Sequence, residues 1–230
     1  FTDISSLTHL PYRPSQSECA LQASDIEHLY LNEAENSLVF VDGHYSPELS
    51  KIVDQAALVI GNLPEFLSTH SATLECHLGQ YATFENNVFS ALNTAFLRDA
   101  ALILVPKNVS VTRPIHLLFI ATQQEVTSYP RCLLIGETGS NVTIIEDYVA
   151  LQDATYITNS VTEISLAANA HARHIRVQRE NTQAFHFANC AVSLAHASHY
   201  QSASISLGSH ISRYNLDVRL LDEAAECIID

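Results

Sequence analysis

Short runs of alternating apolar and polar residues dominate the second half of the chain. In the clearest run, residues 215–220, three apolar side chains (Leu216, Val218 and Leu220) alternate with polar ones. A period of two is typical of a β-strand that buries one face. Similar windows lie at residues 115–119, 142–144, 175–177, 185–187 and 205–207. We therefore predict a mainly β region in which the apolar side chains of each window, Val218 included, point inward.

Small or polar residues recur between these strands at a nearly constant distance. Asn141, Ala170 and Ser198 each precede a new strand window, and their sequence separations are 29 (170 − 141) and then 28 (198 − 170). A repeat of this length built from short strands indicates a solenoid, in which each coil stacks on the last and buries a shared core. The alternative is an antiparallel sandwich, which would favour two-residue Asn-Gly or Asp-Gly turns. The one Asp-Gly pair, at Asp42, lies outside the region, so we predict a parallel β-helix.

The first 99 residues follow a different pattern. An apolar run at residues 38–41 indicates a strand, and Ser46 followed by Pro47 indicates a helix start or a tight turn. From residue 64 to residue 98 the spacing becomes helical, with an apolar stripe made of Phe84, Val88, Phe89, Leu92, Ala95 and Phe96. A helix laid across the open end of a solenoid blocks edge-to-edge aggregation, and we predict that this stripe packs there. The predicted domains are a small helical and α+β region at residues 1–99 and the β-helix core at residues 100–230.

The acidic composition limits the possible partners. The chain has 11 Lys and Arg against 25 Asp and Glu, a net charge of −14 over 230 residues. Such a charge repels phosphate backbones and anionic lipids, so we expect no nucleic-acid partner. The longest apolar run, residues 100–105, is far shorter than the roughly 20 residues of a membrane-spanning helix, and no membrane insertion is expected. Because the sequence starts at Phe1, lacks Met and stops inside an apolar window, we interpret it as a longer protein truncated at both ends, with an incomplete β-helix.

The cysteines do not form a recognisable metal or disulfide motif. They are five in number and widely scattered, at Cys19, Cys76, Cys132, Cys190 and Cys227. An odd, scattered set favours free thiols in a reducing cytoplasm. Cys132 and Cys190 are two repeats apart, and two coils separate them by roughly 10 Å, too far for a disulfide.

Common nucleotide-binding and hydrolase motifs are absent from the sequence. Neither Lys51 nor Lys107 follows a glycine, so the chain has no phosphate-binding Gly-Lys loop. A Gly-x-Ser-x-Gly nucleophile elbow is missing as well. A β-helix can carry a pair of carboxylates that cleaves polysaccharides, and the candidates are Glu146, Asp147, Glu163 and Glu180. Neighbours on a strand face opposite ways, so Glu146 and Asp147 cannot enter one cleft together. The alternative is that these residues form a solvated acidic face, and we predict no catalytic residue.

Histidine is the one enriched reactive residue type, with 12 copies. His171 and His199 have a sequence separation of 28 (199 − 171), one repeat, and would stack on neighbouring coils. Two stacked imidazoles are a candidate two-ligand metal ladder. The alternative is that they are solvent-facing or singly hydrogen-bonded histidines.

An ordered set of short stretches resembles the SufB/SufD family of iron–sulfur cluster assembly proteins, from about residue 38 to the end. The stretches are residues 39–43 (Val-Phe-Val-Asp-Gly), 46–49 (Ser-Pro-Glu-Leu), 92–96 (Leu-Asn-Thr-Ala-Phe), 105–109 (Val-Pro-Lys-Asn-Val), 114–119 (Pro-Ile-His-Leu-Leu-Phe), 145–148 (Ile-Glu-Asp-Tyr), 158–163 (Thr-Asn-Ser-Val-Thr-Glu) and 177–180 (Val-Gln-Arg-Glu). The resemblance implies a right-handed parallel β-helix preceded by a helical region.

The resemblance also implies a function. It suggests a cytoplasmic (or plastid stromal) scaffold without ATPase activity, which pairs with a SufB-like subunit through the β-helix and recruits a SufC-like ABC-type ATPase. The complex would assemble iron–sulfur clusters, and this segment would bind no cofactor stably. SufB-like chains carry a cysteine where this chain has Tyr148, which points to the SufD branch. The family's cluster-site histidine would lie beyond Asp230.

Overall fold

Fifteen strands, four α-helices and one 3₁₀ helix make up the described part of the chain, which covers residues 7, 13–15, 21–53, 58–85 and 87–230 of a computed structural model. Cys19 lies outside these residues. The helices are α1 (Ala23–Ile26), α2 (Leu63–Thr69), α3 (Ser71–His77) and α4 (Val88–Ala95), with the 3₁₀ helix at Glu27–Leu29. The strands are β1 (Arg13–Pro14), β2 (Asn36–Val41), β3 (His44–Tyr45), β4 (Val59–Asn62), β5 (Ala101–Val105), β6 (Ile115–Ala121), β7 (Val126–Ser128), β8 (Arg131–Gly136), β9 (Asn141–Ala150), β10 (Ile157–Leu166), β11 (His171–Arg179), β12 (Phe185–Leu194), β13 (His199–Ser206), β14 (Ile211–Leu220) and β15 (Glu226–Ile229).

The strands form two facing sheets, and the chain alternates between them. One sheet stacks β8, β10, β12 and β14 in parallel, and the other stacks β6, β9, β11, β13 and β15 in parallel. The antiparallel pairs are β2 with β3 and β4 with β5, both near the N-terminal end. The predicted parallel β-helix is therefore confirmed, as is a small N-terminal region that carries helices.

The register of the coils differs by one residue from the predicted alignment. His171 pairs with Asn141 on one side and with His199 on the other. The prediction had aligned Asn141 with Ala170, one position earlier. A one-residue shift moves side chains to the opposite face of a strand, so it decides which residues enter the interior.

The interior of the first coils is apolar. An aromatic ladder runs through it, in which the Phe40 and Phe119 rings stack at 5.2 Å and the Phe119 and Tyr148 rings at 4.9 Å between centroids. Aliphatic side chains from both sheets pack around the ladder. Parallel strands in register place equivalent side chains one coil apart, about 4.8 Å, and that spacing suits stacked rings.

Strand β11 has the opposite orientation to the predicted one. Ile175 and Val177 were expected to point inward, but both lie half-buried on the outer side. The inner positions are taken by His174, Arg176 and Gln178, which are fully buried. The prediction was wrong because it assumed that the more apolar face of a strand is always the inner one.

Two other predicted windows also have their apolar side chains on the outer side of the solenoid instead of the inner side, for different reasons. Phe185 and Phe187 lie on the outer face of β12, where Phe187 is buried because the ring of Phe89 stacks on it at 4.2 Å. Ile205 and Leu207 belong to the outer side of the last coils and are exposed. Val218, by contrast, packs against the core as predicted.

Helix α4 lies on the outer face of β10 and β12, not across the end of the solenoid. Its buried residues are Ser90 and Asn93, and Asn93 Nδ2 donates to the carbonyl oxygens of Pro130 at 2.9 Å and of Asn159 at 2.8 Å. Most of the predicted apolar stripe is exposed, with relative exposures of 55% for Phe84, 61% for Val88, 39% for Leu92 and 39% for Phe96. Amide-to-backbone hydrogen bonds, together with the Phe89 ring, hold the helix in place.

A buried ion pair holds the helical layer on this sheet. Glu163 accepts hydrogen bonds from the backbone nitrogens of Gly79 at 2.9 Å, Tyr81 at 2.9 Å and Ala82 at 3.0 Å. Its other contact is Arg131, whose Nη2 donates to Oε2 at 2.6 Å. Arg131 Nη1 reaches the side-chain oxygens of α4 at Asn93 and Thr94, each at 3.1 Å. Two buried charges thus connect the loop after α3, helix α4 and the sheet.

Three further predictions concern the chain as a whole. The four described cysteines are free, and Cys132 pairs in register with Thr162, which pairs with Cys190, so these two thiols lie two coils apart as predicted. Strand β2, from the predicted N-terminal region, pairs with β6 of the core, and the domain boundary at residue 100 stays a prediction. None of the helices in the described ranges is long and apolar enough to cross a membrane.

Candidate functional site

A polar cluster fills the interior of the solenoid from β9 onward, where the apolar core gives way to charged side chains. We call it the lumen cluster. All of its members are buried, and they are Glu146, Tyr148, Thr158, Thr162, His174, Arg176, Gln178, Glu180, His186, Cys190 and Tyr200. Charged groups are rarely buried without partners, so the stability of this cluster depends on the contacts that each charged side chain makes.

Glu146 and His174 form the central ion pair. The His174 Nε2 atom lies 3.4 Å from Glu146 Oε1, which also accepts a hydrogen bond from Thr162 Oγ1 at 2.6 Å. Burial raises the pKa of the Glu146 carboxyl, but the charge of His174 and the hydrogen bonds outweigh burial and lower the pKa to about 2. Burial lowers the pKa of His174, but the Glu146 charge outweighs it and raises the pKa to about 10. The pair is therefore ionised at neutral pH.

A short relay of polar atoms continues from His174 towards a thiol. His174 Nδ1 lies 2.9 Å from the Tyr200 hydroxyl, and because the imidazole is protonated, Nδ1–H donates to it. The same hydroxyl lies 3.9 Å from Cys190 Sγ. Burial raises the pKa of Tyr200 far above its ordinary value. The charged His174 imidazole therefore donates to the neutral Tyr200 hydroxyl, which in turn lies against the Cys190 thiol.

Arg176 is buried in the interior, where its charge helps to lower the pKa of Glu146, but no carboxylate among the described residues accepts a hydrogen bond from it. Its Cζ atom lies 5.4 Å from the Tyr148 ring centroid and 5.0 Å from that of Tyr214, and Nη1 donates to Ser204 Oγ at 3.3 Å. Within the described residues, Nε and Nη2 have no hydrogen-bond acceptor. The two aromatic faces stabilise the guanidinium by cation–π attraction, worth about 0.5–2 kcal/mol each.

Glu180 anchors a second polar group beside the first. It accepts hydrogen bonds from Thr158 Oγ1 at 2.7 Å, Gln178 Nε2 at 3.1 Å and His186 Nδ1 at 2.6 Å. Burial raises the pKa of Glu180, but these contacts outweigh burial and lower it. Burial lowers the pKa of His186 by more than the Glu180 charge raises it.

The carboxylates singled out in the sequence do not line an open cleft. Glu146 and Glu180 lie inside, whereas Asp147 faces outward and receives both Nε and Nη2 of Arg179, at 2.9 and 2.7 Å. Glu163 also faces outward, beneath the helical layer. The expectation that Glu146 and Asp147 face opposite ways is confirmed, but the solvated acidic face is wrong, because all four side chains are buried.

The two candidate metal ligands lie together on the outer side of the solenoid. The His171 and His199 rings stack at 4.4 Å between centroids with 4° between their planes. They are separated from the lumen cluster by the sheet itself. Metal binding at this pair stays a prediction, and no group of three or more His, Cys, Asp or Glu side chains within the described ranges is arranged to hold a metal ion.

The sequence reasoning missed His174, Arg176 and Gln178. Their polarity placed them on the outer face, whereas in register they stand opposite Ile144, Glu146 and Tyr148 on β9. The usable signal was charge: Arg176 falls one coil after Glu146, and an opposite charge at the equivalent position of the next coil indicates a shared face. Hydrophobic alternation alone cannot reveal an interior that is itself polar.

Comparison with known proteins places nearly all of the chain in one family. The domain described as "SUF system FeS cluster assembly, SufBD core domain" matches residues 119–230, and the one described as "SufBD protein N-terminal region" matches residues 10–117. An iron–sulfur cluster assembly SufBD family protein of Synechocystis is 35% identical over 238 residues, covering 98% of this chain and 52% of that protein. The iron–sulfur cluster assembly protein SufD of Escherichia coli is 27% identical over 227 residues, covering 97% of this chain and 51% of that protein. A chloroplastic Arabidopsis thaliana protein, ABCI7, is 27% identical over 143 residues, covering 59% of this chain and 30% of that protein. The chain spans about half the length of the first two relatives.

Proposed function

The chain belongs to the SufBD family of iron–sulfur cluster assembly proteins, and on that premise we propose that it acts as a scaffold subunit without ATPase activity in a cluster assembly complex. In this proposal it pairs with a SufB-like subunit through the β-helix, and a SufC-like ABC-type ATPase supplies the nucleotide hydrolysis. The iron–sulfur cluster is cargo of the complex. The relatives in Escherichia coli and in a chloroplast support a place in the cytoplasm or the plastid stroma.

The observation that carries the scaffold proposal is the environment of Tyr148. The resemblance to the family implies that SufB-like chains carry a cysteine at this position. Its hydroxyl donates to Glu146 Oε2 at 3.0 Å, its ring stacks on Phe119, and the Arg176 guanidinium lies over the ring. A phenol cannot carry a persulfide or ligate iron through sulfur. Tyr148 contacts Glu146 and Arg176 of the lumen cluster. These contacts support a structural role for this position and not a role in sulfur chemistry.

The test is reconstitution. We would co-express the natural full-length polypeptide with SufB-like and SufC-like proteins from the same source and measure masses by light scattering after gel filtration. We expect one complex that contains all three chains. Omission of the SufB-like chain is the matched control, and it should remove the heterodimer. A polypeptide that elutes alone in the presence of both partners would overturn the proposal.

A further inference from the structure

The histidine stack on the outer side has the properties of a ligand pair. His171 begins β11 and His199 begins β13, and the two residues are direct partners in the parallel ladder. Both rings reach solvent, and the His199 side chain is 39% exposed.

A carboxylate orients one of the two rings. Glu226, the partner of His199 on β15, places Oε2 at 3.0 Å from His199 Nδ1. A carboxylate that accepts from one imidazole nitrogen fixes the tautomer and leaves the other nitrogen, Nε2, for a ligand. This carboxylate–histidine arrangement is the usual support of a metal-binding imidazole.

We propose that His171 and His199 together bind one divalent first-row transition-metal ion, with Glu226 as the orienting residue and water as the remaining ligands. A tetrahedral ion with metal–nitrogen bonds of about 2.0–2.1 Å needs its two nitrogens roughly 3.3 Å apart. The rings stack with 4.4 Å between centroids and 4° between planes, so their in-plane nitrogen lone pairs run parallel. Both side chains must therefore rotate about χ1 and χ2 to direct one nitrogen each at a single ion, a rotamer change that is open to partly exposed histidines. Imidazole ligands select zinc, copper, nickel or iron over calcium and magnesium.

Side chains near the stack should change the affinity of the His171–His199 pair for a metal ion. A cleft of about 210 Å³ opens beside the stack, and Asn141, Arg173 and Gln201 contribute to its walls. The guanidinium of Arg173 repels a cation in the cleft, so its removal should tighten binding, by roughly threefold to tenfold. This site goes beyond the scaffold proposal and does not depend on it, because the ladder lies within a single chain.

The experiment uses the untagged chain titrated with Zn²⁺ by calorimetry and with Co²⁺ by visible absorption. We expect one ion per chain, a loss of at least tenfold in affinity for His171→Ala and for His199→Ala, and no binding by the double variant. Glu226→Gln should weaken binding about 10–100-fold, the usual effect of losing an orienting carboxylate. The matched control is His196→Ala, an exposed histidine shortly before His199 in the chain, which should bind like the parent.

Several outcomes would overturn the proposal. A double variant that binds Zn²⁺ as tightly as the parent would remove the ladder from consideration. An equal loss of Zn²⁺ affinity in His196→Ala would show diffuse binding to surface histidines. An Arg173→Gln variant that binds Zn²⁺ more weakly than the parent would contradict a site beside this cleft. Thermal melts of every variant check the fold, and Arg173→Gln tests the site even if an imidazole variant fails to fold. Complex formation with SufB-like and SufC-like chains is read separately, so failure of one proposal leaves the other intact.

Discussion

The Glu146 carboxylate is closed off from solvent and accepts hydroxyl donors from Tyr148 and Thr162, while His174 carries the compensating charge. Removing one partner of a buried ion pair leaves the other charge uncompensated, which costs about 3–5 kcal/mol. Glu146→Gln should therefore lower the melting midpoint by on the order of 10 °C. Calorimetric melts measure it, and the exposed Glu223→Gln is the control, with an expected shift near zero. An unchanged Glu146→Gln midpoint would show that the interior pair contributes no stability.

The Glu146–His174 pair also makes the free energy of unfolding depend on pH, with a loss of stability as the pH rises. The pKa of His174 rises from 6.5 to about 10 on folding, so the folded chain retains a proton that the unfolded chain loses. Stability from this group is complete below pH 6.5 and is lost as the pH rises through about 10. The free energy of unfolding should fall between pH 6 and pH 9 by on the order of 3 kcal/mol.

Urea unfolding at both pH values measures this loss. The double variant Glu146→Gln with His174→Gln should lack most of the decrease, whereas His196→Ala should retain it. A decrease of equal size in the double variant would assign the pH dependence to other groups.

At the scale of single elements, the Arg131–Glu163 pair decides whether the helical layer stays on the sheet. Glu163→Gln removes the charge opposite Arg131 and weakens the acceptor of three backbone nitrogens. We expect faster amide hydrogen exchange in residues 79–82 and in α4, with exchange in β12 unchanged, because the solenoid keeps its own ladder bonds. Glu85→Gln, at an exposed position near α4, is the matched control. Faster exchange spread evenly over β12 would mean that the helices and the coils unfold as one unit.

The elements differ in how far the sequence could foretell them. Strand positions followed from alternation, and the coil repeat from evenly spaced turns. The orientation of β11 did not follow, because the contacts of its inner residues, His174 and Arg176, lie on other coils. The position of α4 did not follow from the sequence either. Asn93 fixes the helix by donating to two carbonyl oxygens on the sheet side, and no local sequence pattern reveals those contacts. The His171–His199 stack could be foreseen, because one-coil spacing alone determines it.

At the scale of the whole molecule, coils should differ in how much of the fold depends on them. Val192 is buried between neighbouring coils, whereas its register partner Val218 on β14 is only half-buried. In a solenoid each coil contacts only its neighbours, and among the described strands β14 pairs only with β12, so damage at β14 should spread least within this chain. Val192→Asp should abolish cooperative unfolding, and Val218→Asp should loosen β14 and β15 alone.

Circular dichroism melts with limited proteolysis measure both variants. We expect Val218→Asp to yield a protease-resistant fragment that retains β5 to β12, and Val192→Asp to yield none. Global unfolding of both variants would show that the coils fold as a single cooperative block.

The position of the lumen cluster also bears on how this fold can change in evolution. Solenoids are built from stacked repeats, so they can lengthen and shorten by duplicating or deleting whole coils. Between β2 and β6 the inner faces are apolar, and a coil gained or lost there still meets a compatible neighbour. From β9 onward the interior carries charges, and Glu146 finds its partner, His174, on the next coil. Deletion of the single coil that runs from Asn141 to Ala170 would leave His174 and Arg176 buried against Leu117 and its aliphatic neighbours. The number of coils in this half of the molecule is therefore constrained by charge pairing.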